Sequence, residues 1–103
     1  MQVKVYHTAF EETPVHIATV DTPCAKHEEA CEYAYRWTQN IMDSWSMKMP
    51  ADGNDAVTVE VPVVEYGHRS SAMGDYFEAD GELYKCAAVG FEAADEIKCR
   101  QPF

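Results

Sequence analysis

The sequence predicts an α+β fold: an antiparallel sheet of about five strands covered by one main helix, in the order β-β-α-β-β-β. Three observations predict it. Residues 3–8 and 57–63 alternate apolar and polar side chains, the period of a half-buried strand. Asp80-Gly81 stands between two β-rich runs, a strong local hairpin signal. Between the first and later strands, one stretch places apolar residues three and four apart, as a helix packed on a sheet requires. A chain of 103 residues with no internal repeat or linker is read as one domain, residues 1–103.

The elements follow in order. Val3, Val5 and His7 alternate with Lys4, Tyr6 and Thr8 as the first strand. Glu11-Glu12-Thr13-Pro14 turns the chain, and Val15 to Val20 returns as the second strand of a hairpin. Thr22 and Pro23 read as a helix start, an N-cap followed by a first-turn proline. The helix is expected to run to about Asn40, or on to Asp43, burying His27, Cys31, Ala34, Thr38 and Ile41. Glu32 and Arg36 are spaced for an ion pair on its outer face.

Residues 44–55 are a loop whose Trp45, Met47 and Met49 are expected to fold back over the core. Val57, Val59, Val61 and Val63 form the clearest strand, and Pro62 places its end at an edge or outside the sheet. Residues 66–75 are a loop. Tyr76 to Ala79 and Glu82 to Val89 are the final hairpin, and the tail from Phe91 reads as a helical turn or a frayed end.

Charge dominates the composition. The chain holds 18 acidic and 8 basic residues, a net charge of −10. A core does not require this, and self-repulsion opposes compactness. Direct binding to a nucleic-acid backbone is excluded, and a positively charged partner is favoured. No apolar stretch suits a membrane span, and the start reads as a strand with no secretory leader, so a cytoplasmic setting is expected. The acids are uneven: Asp75, Glu78, Asp80, Glu82, Glu92, Asp95 and Glu96 face the single Lys85 over residues 75–96. Alternate strand positions lie about 6.6–6.8 Å apart, and phosphates of one DNA strand about 3.4 Å apart in rise. An acidic hairpin can therefore offer charge at a phosphate-like spacing. Glu28, Glu29 and Glu32 add a helical acidic patch.

Catalytic chemistry is poorly marked. Cys24, His27 and Cys31 share a helical spacing, and Cys86 could complete a tetrahedral zinc set, but core-facing stripes have the same spacing and no Cys-x-x-Cys pair occurs. Cys24 near a helix start could be an activated thiol, with His7, His16, His27 and His68 as available bases, yet no triad is evident. The run Gly67-His68-Arg69-Ser70-Ser71-Ala72-Met73-Gly74-Asp75 lacks phosphate-loop patterns. Its plain reading is structural, with Arg69 clamping a carboxylate and Asp75 bonding backbone. A non-enzyme without cofactor is expected.

That same run, Tyr66 to Asp75 followed by Phe77 to Gly90, resembles a family of small proteins encoded by phages, prophages and plasmids of bacteria. They carry Arg-Ser-x-Ser-x-Gly-Asp before a final hairpin. Arg69, Ser70, Gly74 and Asp75 match, and Ala72 departs from the second serine. Residues 34–40 and Ser44-Trp45-Ser46 are also similar to that family. The resemblance implies a mobile-element setting, where small acidic proteins include anti-CRISPR and anti-restriction inhibitors that imitate DNA.

The resulting expectation is an inhibitor, monomeric or dimeric, in the cytoplasm of a bacterial host. It would occupy the basic nucleic-acid-binding surface of a CRISPR effector or another nuclease. The expected contacts are Glu28, Glu29, Glu32, Asp75, Glu78, Asp80 and Glu82, with Trp45 and Tyr76 as aromatic anchors. The alternatives are a mobile-element accessory protein with no nuclease target, or a small zinc- or thiol-dependent protein.

Overall fold

The computed structural model describes residues 1–40, 45–46, 56–63 and 67–99. Among them the α+β arrangement is as expected: one antiparallel sheet with one helix on one face. The strands are β1 (Gln2–His7), β2 (Val15–Asp21), β3 (Val57–Val59), β4 (Tyr76–Ala79), β5 (Glu82–Cys86) and β6 (Phe91–Ala93), and the helix is α1 (His27–Trp37). The sheet has six strands in the order β3-β2-β1-β4-β5-β6, so β1 lies inside it.

Alternation decides the faces. Val3 and Val5 pair with Ala79 and Phe77 of β4, and these residues are fully buried beneath the helix. Val20 and Val57 extend that layer through β2 and β3. From above, α1 supplies Ala30, Cys31 and Ala34. Phe77 and Phe91 meet edge to face at 5.2 Å, and Tyr35 packs on both rings. The β1–β2 register slips between Val5 and Tyr6: Val5 faces Ala18, whereas Tyr6 faces His16. Ile17 is the extra residue of this bulge, and both Ile17 and Ala18 are buried.

The hairpin signal at Asp80-Gly81 is realised as a two-residue turn closed by Ala79 and Glu82. Both turn residues have positive φ, 52° and 84°, the signature of the turn type whose twist suits a hairpin. A Cβ at Gly81 would meet no atom within 4 Å, so substitution there is opposed by backbone strain alone. Gly81→Ala should cost about 1 kcal/mol. Urea unfolding checks this: the midpoint falls and the slope stays unchanged.

Three expectations are corrected. The helix begins at His27, capped by the backbone of Lys26 without a side-chain bond, and not at Thr22-Pro23. Thr22 is engaged elsewhere: its N–H and hydroxyl donate to the Met1 carbonyl at 2.8 and 3.1 Å, and its own carbonyl accepts from the Met1 ammonium at 2.9 Å. The tail forms a sixth strand in place of a helical turn, because Gly90 at φ 71° turns Phe91–Ala93 back onto β5. The Glu32–Arg36 ion pair is not formed, and the Arg36 guanidinium lies 5.7 Å from the Trp37 ring centre.

The strand read over residues 57–63 is regular only to Val59; Glu60 still donates to Ile17 at 2.9 Å, and the chain leaves the sheet around Pro62. Trp45 does fold back into the core, at 2% exposure. Ile41, Met47, Met49 and Tyr66, and the helix extension toward Asp43, lie outside the described residues.

Candidate interaction surface

Two regions hold most of the chemistry: a buried polar knot at one end of β1 and an acidic edge at the other. The knot is built by the loop before β4. Asp75 is fully buried. Its Oδ1 accepts from the N–H groups of Thr8 and Ala9 at 2.9 and 3.0 Å, and its Oδ2 from the N–H of Ala72 at 2.8 Å. Arg69 grips the same carboxylate through both terminal nitrogens, at 2.7 and 2.8 Å. The guanidinium also donates to both carboxylate oxygens of Glu11 and to the Ser70 carbonyl, so every N–H of the fork is used. Phe10 lies over the open face of this cation, 5.0 Å from it.

The charges reinforce one another. Burial opposes ionisation of Asp75, but Arg69 and the N–H groups of Ala9 and Thr8 hold its pKa below the usual carboxylate range. Burial likewise works against the Arg69 cation, and Asp75 and Glu11 outweigh it, raising the pKa.

His7 is buried beside the knot, 3.1 Å from Ser71 Oγ and 3.9 Å from Asp75 Oδ2. Burial lowers its pKa to about 4, although Asp75 pulls the other way. Ser71 Oγ continues to Thr38 Oγ1 at 2.7 Å, tying the loop to the end of α1. Trp45 closes the region, its indole N–H donating to the Arg69 carbonyl at 2.8 Å. A serine, a histidine and an aspartate thus come together, but Ser71 is 2% exposed and one imidazole nitrogen faces both partners. The arrangement fastens β1, α1 and the loop to each other and presents no accessible nucleophile.

The knot changes the list of contact residues. Asp75, Tyr76 and Trp45 are predicted from the sequence as partner contacts; the structure places them inside, at 0%, 2% and 2% exposure, and they present almost no surface to a protein partner. Glu78 lies on the face of the sheet away from the helix, half-buried and 4.0 Å from the Lys4 ammonium. Glu82 pairs with Ala79 and so belongs to the helix-bearing face. The hairpin therefore does not carry Glu78, Asp80 and Glu82 as a single ladder on one face.

What the fold brings together is the hairpin turn and the first turn of α1. His27, the first helical residue, accepts or donates a 2.8 Å bond with the Tyr84 hydroxyl through Nδ1, and its Nε2 lies 4.0 Å from Asp80 Oδ2. Glu28, Glu29 and Glu32 follow on the exposed side of the helix, and Asp80 and Glu82 are exposed on the hairpin. Among the described residues, Glu28, Glu29, Glu32 and Glu82 make no ion pair. Lys26 is the adjacent cation in sequence, and it is paired with none of them.

The cysteines are packing groups. Cys31 and Cys86 are buried, and burial raises their thiols to about 12 and about 11, well away from reactive thiolate. Cys24 precedes the helix start at His27 and receives no first-turn amides. Cys24, His27, Cys31 and Cys86 do not converge: among the described residues, no group of three or more His, Cys, Asp or Glu side chains could hold a metal ion. No described helix is long and apolar enough to cross a membrane.

The chain matches no protein-family model, no curated protein and no solved structure.

Proposed function

We propose that the protein is a non-enzymatic inhibitor from a phage or related mobile element, acting in the cytoplasm of a bacterial host. It occupies the basic nucleic-acid-binding site of a defence nuclease of the CRISPR-effector or restriction type. The observation that carries this reading is the contact between His27 and Asp80 at 4.0 Å, which joins two acidic clusters distant in sequence into one edge. A basic groove meeting this edge would replace phosphate charge with carboxylate charge, and the net charge of −10 would steer the encounter. The resemblance carried by Arg69, Ser70, Gly74 and Asp75 supports the mobile-element setting.

Reversing charge at three exposed positions, Glu28→Lys with Asp80→Lys and Glu82→Lys, tests the proposal. Protection of phage from host defence, measured as plating efficiency, should be lost while the variant stays folded by circular dichroism, Asp80→Lys at positive φ costing about 1 kcal/mol of stability. Unchanged protection would contradict the proposal.

A further inference from the structure

A second feature lies on the face of the sheet away from the helix and is independent of the acidic edge. Beyond β6 the chain stays against β5, the Ala94 N–H donating to the Leu83 carbonyl at 2.9 Å. A cavity of about 280 Å³ opens there, lined by Tyr76, Lys85, Ala94, Asp95, Glu96 and Lys98. Tyr76 and Lys85 are directly paired across β4 and β5, so their side chains share this face.

The lining groups differ in whether they are already paired. Lys98 and Glu96 lie 3.9 Å apart as an exposed pair. Lys85 is half-buried and has no ion pair among the described residues, and neither has Asp95. Tyr76 is 2% exposed, yet its hydroxyl has no hydrogen-bond partner among the described residues. Only the Trp37 indole nitrogen is both orphaned and sealed from solvent among them, so the Tyr76 hydroxyl keeps some accessible surface, and Tyr76 lines the cavity. The cavity thus offers one unpaired cation, one unpaired anion and one unpartnered hydroxyl.

These three groups define a ligand. A simple anion would meet Asp95, Glu96 and the field of a chain carrying −10. A simple cation would meet Lys85. A small zwitterion meets neither objection. The volume suits it, being several times the ~30 Å³ share of one water. We infer that this cavity binds a small zwitterion of the α-amino acid type, its carboxylate on Lys85 and the Tyr76 hydroxyl and its ammonium toward Asp95.

Amide-shift NMR titrations with glycine, alanine and serine test the inference, with acetate and methylammonium as the separate halves. At least one amino acid should give saturable shifts at Tyr76, Lys85 and Asp95, and bind more tightly than either half. Lys85→Gln should weaken that binding about tenfold, the loss of one charge-assisted bond. Asp95→Asn, at an exposed position, should weaken the amino acid and strengthen acetate, whose repulsion it removes; it decides the matter if Lys85→Gln does not fold. Absence of saturable shifts with all three amino acids would overturn the inference. So would acetate binding as tightly as they do, or affinity indifferent to both variants. None of these outcomes depends on nuclease inhibition.

Discussion

Asp75→Asn should destabilise the fold by about 3–5 kcal/mol, the usual loss on breaking a buried ion pair from one side. A single-domain protein has only about 5–15 kcal/mol in total, so this one change removes a large share of the stability. The reason is donor counting. Thr8, Ala9, Ala72 and Arg69 all aim N–H groups at the two carboxylate oxygens. An amide keeps one acceptor and turns an NH₂ toward donors that cannot accept from it. Arg69 would retain Glu11, which is partly exposed and holds it less firmly. Glu11→Gln should therefore cost much less. Urea unfolding of the two variants checks the order, and an Asp75→Asn protein as stable as the parent would refute the structural role of the knot.

Acid should weaken the fold in two separable windows. His7 has an ordinary pKa of 6.5 and a folded value of about 4, so the unfolded chain takes up the proton first. Its stabilising contribution is complete above pH 6.5, declines as pH falls toward 4, and is exhausted below that. The decline amounts to about 3 kcal/mol. Asp75 acts lower: its folded pKa lies beneath 3.8, so its contribution is present above that pH and is lost as pH falls through the depressed value. His7→Gln should flatten the upper window, whatever it does to absolute stability. Unfolding free energies between pH 7 and pH 4 measure the slope directly, and an unchanged slope in His7→Gln would assign the titration to other groups.

The parts of the fold legible in the sequence are those set by neighbours along the chain. Val3, Val5 and His7 declare a buried face by alternation, and Asp80-Gly81 declares its turn because few residue pairs accept two positive φ angles. The misread parts were decided at a distance. Thr22 looks like a cap until Met1 takes its polar groups, 21 residues away. Phe91-Glu92-Ala93 is too short to show a period, and β5 makes it a strand; Gly90 was the available clue. In the knot, the residue types suggest that Arg69 clamps a carboxylate and that Asp75 bonds backbone, but Glu11, which Arg69 also holds, is 58 positions from it and His7 is 64 from Ser71. No local pattern joins them. Trp45 and Tyr76 show the limit of composition, since an aromatic side chain serves a core and an interface equally well. Conversely, Phe10 is 60% exposed and nothing in its sequence context distinguished it.

Removing Asp75 and setting Glu78 beside Lys4 reduces the candidate surface to Asp80 and Glu82 with Glu28, Glu29 and Glu32. The knot anchors the far end of β1, and β1 pairs with β4, the first strand of the hairpin. The acidic edge is therefore held by the fold and is not a property of net charge alone.

The most direct measurement is co-purification from bacterial host lysate at low and high salt, run beside the Glu28→Lys, Asp80→Lys, Glu82→Lys variant. The unaltered protein should retain a nucleic-acid-binding nuclease at low salt, release it at high salt, and lose it with the three reversals. Retention of the same nuclease by the reversed variant, or recovery of no nuclease at low salt, would contradict the proposal.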